Sequence, residues 1–218
     1  VTFNISRSAS GSWAGTSWNV TTGELLKDSG TIYVWNLAAD GTEAGGNPAH
    51  AINSYTASTS GINGGASYVY NAGDTNTIDL NLPGNTFTVE AWVKGNGYLS
   101  LGKDGVIFTQ LSYCPSLSYN YQVGTQSNNS NISSTGVPSE TWHHYAAVYS
   151  GTYSALYVDG LLTSYSDGFN QTLVTNSNKL SLNNSGSSPV DEIRISSVAR
   201  SGDEIAAYYA AAKGKIVE

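Results

Sequence analysis

The stretch Thr141–Gly160, TWHHYAAVYSGTYSALYVDG, decides how this chain folds. From Trp142 to Tyr149 its residues alternate with a period of two, placing Trp142, His144, Ala146 and Val148 on one side. That is the pattern of a β-strand, in which successive side chains point to opposite faces. The continuation, Ala155–Val158, then Asp159-Gly160, then Leu161-Leu162, sets an Asp-Gly pair between two apolar runs. Such a pair is a strong hairpin signal, because a type I′ turn needs positive φ at both central residues. The unit is antiparallel β.

Outward from it, the same period recurs. In Thr86–Lys94 (TFTVEAWVK), Phe87, Val89, Ala91 and Val93 share one face, and Thr88, Glu90 and Trp92 the other. Further strands are expected at Thr31–Leu37, Ser67–Tyr70, Val106–Ser112, Leu180–Asn183 and Glu192–Ser196, bounded by clusters of Gly, Asn, Asp and Ser. One segment reads as helix. Ser201 stands as an N-cap before Asp203 and Glu204, an alanine-rich run follows from Ile205 to Ala212, Lys213 complements the C-terminal dipole, and Gly214 stops it. Many short strands with one terminal helix make an all-β sandwich.

Composition narrows the function. The 218 residues carry 9 Lys+Arg against 16 Asp+Glu, a formal charge of −7, with a pI near 4.8. No cationic footprint for nucleic acid is present, and no apolar run approaches the ~18–20 residues a membrane helix needs. With 39% hydrophobic and 11% aromatic residues the chain can bury a core. Cys114 is the single cysteine, so no disulfide can form within the chain. There is no methionine, even at position 1, which fits either an excised domain or an exported, extracellular product whose leader has been removed.

Four stretches, Ile32–Asp40 with Gly64–Tyr70, Phe87–Lys94, Thr141–Gly160 and Val190–Tyr209, together resemble the laminin-G-like, concanavalin A-like lectin–glucanase superfamily. The resemblance implies a two-sheet antiparallel jelly-roll β-sandwich over residues 31–218 with a short C-terminal helix; it leaves residues 1–30 aside, where the residues themselves read as an N-terminal strand and hinge. It says less about activity, since such sandwiches host lectins, enzymes and scaffolding modules. Relatives of this fold also hold calcium at the sandwich rim. Asp74, Asn76 and Asp79 offer the hard oxygen ligands for that ion, although the same residues suit a plain turn.

Catalytic patterns are weak. Polysaccharide cleavage by related sandwiches needs two carboxylates converging from one strand, and Glu90 has no carboxylate at positions 88 or 92. Three histidines (His50, His143 and His144) with one cysteine do not make a zinc site. His143 and His144 are strand neighbours and face apart, so they cannot serve one substrate atom. Trp92 and Trp142 are expected as packing residues, His144 as a hydrogen-bonded core residue, and Asp191-Glu192 as partners of Arg194. A non-enzyme is the expectation.

Two functional readings remain beside a third, a polysaccharide-cleaving enzyme. Val1, Phe3 and Ile5 alternate with polar residues before a small-residue hinge, Ser8–Ser17. This strand can complete a neighbouring subunit's sheet edge, or it can pair with Lys215–Val217 of its own chain. The first option gives the leading expectation, an adhesive surface protein that assembles with copies of itself into filaments. The other is a lectin-like module in which Tyr113, Tyr119, Tyr121, Tyr153 and Trp18 stack on glycans.

Overall fold

The structure, a computed structural model, describes residues 10–13, 16–19, 23–37, 41, 43–52, 60–63, 68–69, 75–82, 86–94, 97–103, 106–112, 119–123, 126–130, 140–167, 178–184 and 189–217. In chain order, the first described strands are β1 (Ser10–Trp13), β2 (Thr16–Asn19), β3 (Leu25–Leu26), β4 (Thr31–Trp35), β5 (Gly61–Ile62) and β6 (Tyr68–Val69). Next come β7 (Thr75–Leu80), β8 (Phe87–Val93), β9 (Gly97–Lys103), β10 (Val106–Ser112), β11 (Tyr119–Val123) and β12 (Gln126–Ser130). The last are β13 (His143–Tyr149), β14 (Tyr153–Val158), β15 (Leu161–Asp167), β16 (Asn178–Asn184) and β17 (Pro189–Ser196), then helix α1 (Gly202–Ala212) and β18 (Ile216–Val217).

Two antiparallel sheets make the sandwich. One runs β15-β14-β13-β8-β17-β4, with β6 also paired to β17, and the other runs β10-β9-β16-β7. Between them lies the main core. Ile78, Leu80, Leu99 and Leu180 come from the smaller sheet, meeting Val89, Ala91, Val93, Tyr145, Ala147, Leu156, Ile193 and Ile195 from the larger. This all-β jelly roll with one C-terminal helix is the architecture expected from the sequence.

The larger sheet departs from simple one-sided burial. Every residue of β8 is buried, and all but the first of β13. The outer face is covered too: Trp18, Leu25, Val34, Trp92 and Trp142 pack with Tyr208 and Ala212 of α1. Beside them Ala146, Val148 and Ala155 pack with Ile205. Trp92 and Trp142 are thus packing residues, but beneath the helix rather than between the sheets.

Helix α1 begins as its sequence requires. Ser201 accepts a hydrogen bond from the Glu204 N–H, and Glu204 reaches back to the Ser201 N–H, a complete capping box. Lys213 holds its ammonium 5.2 Å from the centre of the Tyr209 ring. Gly160 lets the helix come close. Its φ is +76°, and a Cβ there would stand 3.0 Å from Ala206 Cα. No helix among the described residues is long and apolar enough to cross a membrane.

At the C-terminus the short strand β18 pairs with Gly61–Ile62; Val1, Phe3 and Ile5, the expected N-terminal strand, lie outside the described residues.

Candidate functional site

The hairpin between β14 and β15 builds the most exposed aromatic surface among the described residues. Asp159 (φ 52°) and Gly160 (φ 76°) form the two-residue turn that their sequence implies. The ladder then pairs Val158 with Leu161 and Tyr157 with Leu162. A bulge follows. Thr163 is passed over, and Leu156 pairs with Ser164, Ala155 with Tyr165, and Tyr153 with Asp167. The Thr163 hydroxyl donates to the Leu156 carbonyl across the irregularity (3.1 Å).

That register decides which rings meet. Ala155 belongs to the face covered by Ile205, so Tyr165 opposite it shares that outer face, together with Tyr153 and Tyr157. Tyr153 and Tyr165 lie with ring centres 5.5 Å apart and planes at 29°. Tyr157 continues the stripe onto the start of α1, where a Cβ on Gly202 would stand 3.1 Å from its Cε1. Tyr165 is 53% exposed, and Leu161 and Leu162 beside it are 71% and 53% exposed. Burial, with Tyr153, Asp203 and Tyr165 nearby, raises the Tyr157 phenol above its ordinary value. Among the described residues β15 is the edge strand of its sheet.

A buried charge cluster anchors the helix that flanks this surface. Arg194 donates from Nε to Glu90 Oε2 at 2.7 Å, and its Nη2 lies 2.5 Å from the same oxygen. Burial alone would raise the Glu90 carboxyl, yet Arg194, with His144 and Arg200 beside it, holds it down at about 2. Arg200 sends Nη2 to both oxygens of Asp28 at 3.0 Å and to the Thr31 hydroxyl at 3.0 Å. Its Nε donates to Ser196 Oγ at 2.9 Å. His144 is fully buried, its Nε2 3.5 Å from Glu90 Oε1 and its ring against Trp92 and Tyr208. His143, on the other face, contacts Asp159 Oδ2 through Nδ1 at 2.8 Å, and Asp159 Oδ1 accepts from the His144 N–H. The two histidines are indeed separated, as alternation requires.

Asp191 and Glu192 do not pair with Arg194 as the sequence suggested. Glu192 adopts positive φ (49°) in an irregular stretch of β17 between Asp191 and Arg194. Asp191 Oδ2 accepts from the Ile62 N–H at 2.8 Å, and Glu192 Oε2 from the Leu25 N–H at 2.6 Å and the Asn36 amide at 2.9 Å. Burial raises both carboxyls, Asp191 to about 8 and Glu192 well above its ordinary value; the Asp191 charge raises Glu192 further, and Glu24 adds to both. They hold neighbouring backbone to the sheet. None of Glu90, Asp191 and Glu192, the acids of β8 and β17, faces an open groove, since each is essentially fully buried.

The other sequence candidates fall as follows. Trp18 is completely buried against Tyr208, at 6.3 Å between ring centres, which removes it as an exposed stacking residue. Tyr113, like Cys114, lies outside the described residues. Tyr119 and Tyr121 stand on β11, paired with β12, and their side chains are outside what is described. Asp74 is likewise outside. The proposed calcium loop is in fact strand β7, along which Asn76 and Asp79 stand three positions apart, Asp79 opposite Lys179. No group of three metal-ligating His, Cys, Asp or Glu side chains occurs among the described residues. Of the expected glycan-stacking residues, Tyr153 is in the stripe. Tyr157 and Tyr165 were missed, and the Asp159-Gly160 turn with its flanking tyrosines was the signal available for them.

Comparison with known proteins places these features in context. The model of the family described as Laminin_G_3, Concanavalin A-like lectin/glucanases superfamily, matches residues 63–206. A search of curated proteins finds no match. Domain 4 of AbnA, a GH43 extracellular arabinanase from Geobacillus stearothermophilus, in complex with arabinotriose, superposes with a TM-score of 0.59 at 14% identity, covering 83% of this chain and 100% of that one. The receptor binding domain of botulinum neurotoxin D gives 0.57 at 12% identity over 83% of this chain and 52% of that one. The binding domain of botulinum neurotoxin DC in complex with SialylT gives 0.59 at 11% identity, over 84% and 51%. The chain spans about half the length of these toxin domains.

Proposed function

Because this chain belongs to the concanavalin A-like lectin/glucanases superfamily, we propose that it is a non-enzymatic carbohydrate-binding module working outside the cell. The observation that carries the reading is the stripe of Tyr153, Tyr157 and Tyr165, with Tyr165 more than half exposed on an edge strand. A tyrosine joins an apolar ring face to a polar hydroxyl, which matches a sugar ring with its C–H face and hydroxyl rim. Tyr165 and Leu162, both more than half exposed on the face that carries Tyr153 and Tyr157, give that face the apolar surface a ligand would cover. Likeness in fold to a domain solved with arabinotriose and to one solved with SialylT supports the ligand class.

The non-enzymatic part rests on the sheet acids. Glycoside hydrolysis needs two carboxyls flanking a bond in a cleft, whereas Glu90 is ion-paired under α1 and Asp191 and Glu192 bind backbone N–H groups. The filament reading depends on Val1, Phe3 and Ile5, outside the described residues, and is not carried further.

The test is a glycan array followed by calorimetry on hits, with Tyr165→Ala alongside. Binding that falls about ten- to a hundredfold in the variant, with unchanged thermal unfolding, is the result expected of an aromatic anchor. A silent array, or full affinity in Tyr165→Ala, removes the reading.

A further inference from the structure

We infer that the tyrosine stripe takes uncharged oligosaccharides and turns away acidic ones such as sialylated or uronic sugars, through the carboxylates of Asp167 and Asp203. The inference rests on the glycan-binding reading above and names the ligand class of the same surface.

Asp167 ends β15 directly opposite Tyr153 in the ladder and is exposed, so its carboxylate borders one end of the stripe. Residues paired across strands have Cβ atoms about 4.5–5.5 Å apart. Asp203 is exposed in the first turn of α1, directly after Gly202, on which a Cβ would stand 3.1 Å from Tyr157 Cε1 and 3.2 Å from its hydroxyl. One acid therefore stands at each end of the three rings. A carboxylate only accepts hydrogen bonds, so both can take bonds from sugar hydroxyls, and bonds to a charged acceptor are the strong kind. Toward a ligand carboxylate the same two groups are repulsive, and the whole chain, at −7, adds a field of that sign.

The helix start beside Tyr157 is the one feature that argues the other way, because a helix N-terminus favours anions. It is already answered from within. Asp203 and Glu204 occupy the first turn, and the capping box takes the N–H groups of Ser201 and Glu204. What remains at the surface is aromatic rings between two acids.

The experiment is titration calorimetry at low salt with matched pairs, each neutral oligosaccharide bound in the array beside its sialylated or uronic counterpart. The proteins are the wild type, Asp167→Asn/Asp203→Asn and Tyr165→Ala. All the altered residues are exposed or at the edge, and thermal unfolding confirms that each variant folds. The expected result is that the acidic member binds about tenfold more weakly to the wild type. The gap closes in the double variant and narrows at high ionic strength, and Tyr165→Ala weakens both members. Equal or tighter binding of the acidic member, still lost in Tyr165→Ala, overturns the charge selection and leaves glycan binding standing. A gap that persists in the double variant also overturns it. Binding of neither member, or binding indifferent to Tyr165→Ala, takes down the glycan reading and this inference with it.

Discussion

Glu90 and Asp191 sit in adjacent strands of one sheet and respond to burial in opposite ways, because only Glu90 has a guanidinium against it. The folded-state value of Glu90, about 2, lies below its ordinary 4.5. Its contribution is therefore complete above about pH 4.5 and is lost as pH falls toward 2, roughly 3 kcal/mol over that window. Glu90→Gln leaves Arg194 buried without its carboxylate and should lower stability by about 3–5 kcal/mol at neutral pH, while flattening the acid limb. Urea denaturation at pH 3, 5 and 7 reads both effects. Asp191 is raised to about 8, so the folded state keeps protons that the unfolded chain gives up above 3.8. Stability from this group falls as pH rises from about 4 to 8, titrating jointly with Glu192. Asp191→Asn should remove part of that decline, and an unchanged slope between pH 5 and 8 would refute the assignment. At this scale the packing roles of Trp92, Trp142 and His144 were legible from strand alternation. The partner of Arg194 was not, because Glu90 lies 104 positions away in sequence and only strand pairing brings it near.

Elements carry the candidate site. From Asp159-Gly160 alone, continuous pairing would set Tyr165 opposite Ser154, on the face that Leu156 gives to the main core. The bulge at Thr163 shifts the ladder by one and sends Tyr165 to the outer face beside Tyr153. Deleting Thr163 should remove the bulge while keeping Leu156 opposite Ser164 and Ala155 opposite Tyr165, so Tyr165 stays outward and glycan binding survives. A deletion variant that folds but no longer binds, measured on the same glycan, contradicts this account. Helix α1 is the opposite case, since its start was visible in Ser201 and Glu204. Ser201→Ala removes the cap and should cost about 1 kcal/mol in thermal unfolding. A cap is read from four consecutive residues, while a bulge depends on what two strands do with each other.

The whole molecule behaves as three layers, with the larger sheet shared between one apolar cluster on its inner face and two on its outer face. Ending the chain after Arg200 would uncover Trp92, Trp142 and Val34 and give the Glu90, Arg194 and His144 cluster access to water. Such a protein should lose cooperative unfolding and bind a hydrophobic dye, and a native-like sharp transition would show the helix to be dispensable. The sequence by itself determined the antiparallel strands of a sandwich, the Asp159-Gly160 hairpin and the capped terminal helix, because period, turn chemistry and caps are local properties, while the jelly roll followed from the family resemblance. It also marked the sheet acids as lacking a catalytic spacing. Only the tertiary structure decided that the central strands β8 and β13 of the larger sheet are buried on both faces, that Trp18 is interior, and that Tyr153, Tyr157 and Tyr165 form one surface. Those outcomes depend on register and on which layer a side chain meets, and both are settled between segments far apart in the chain.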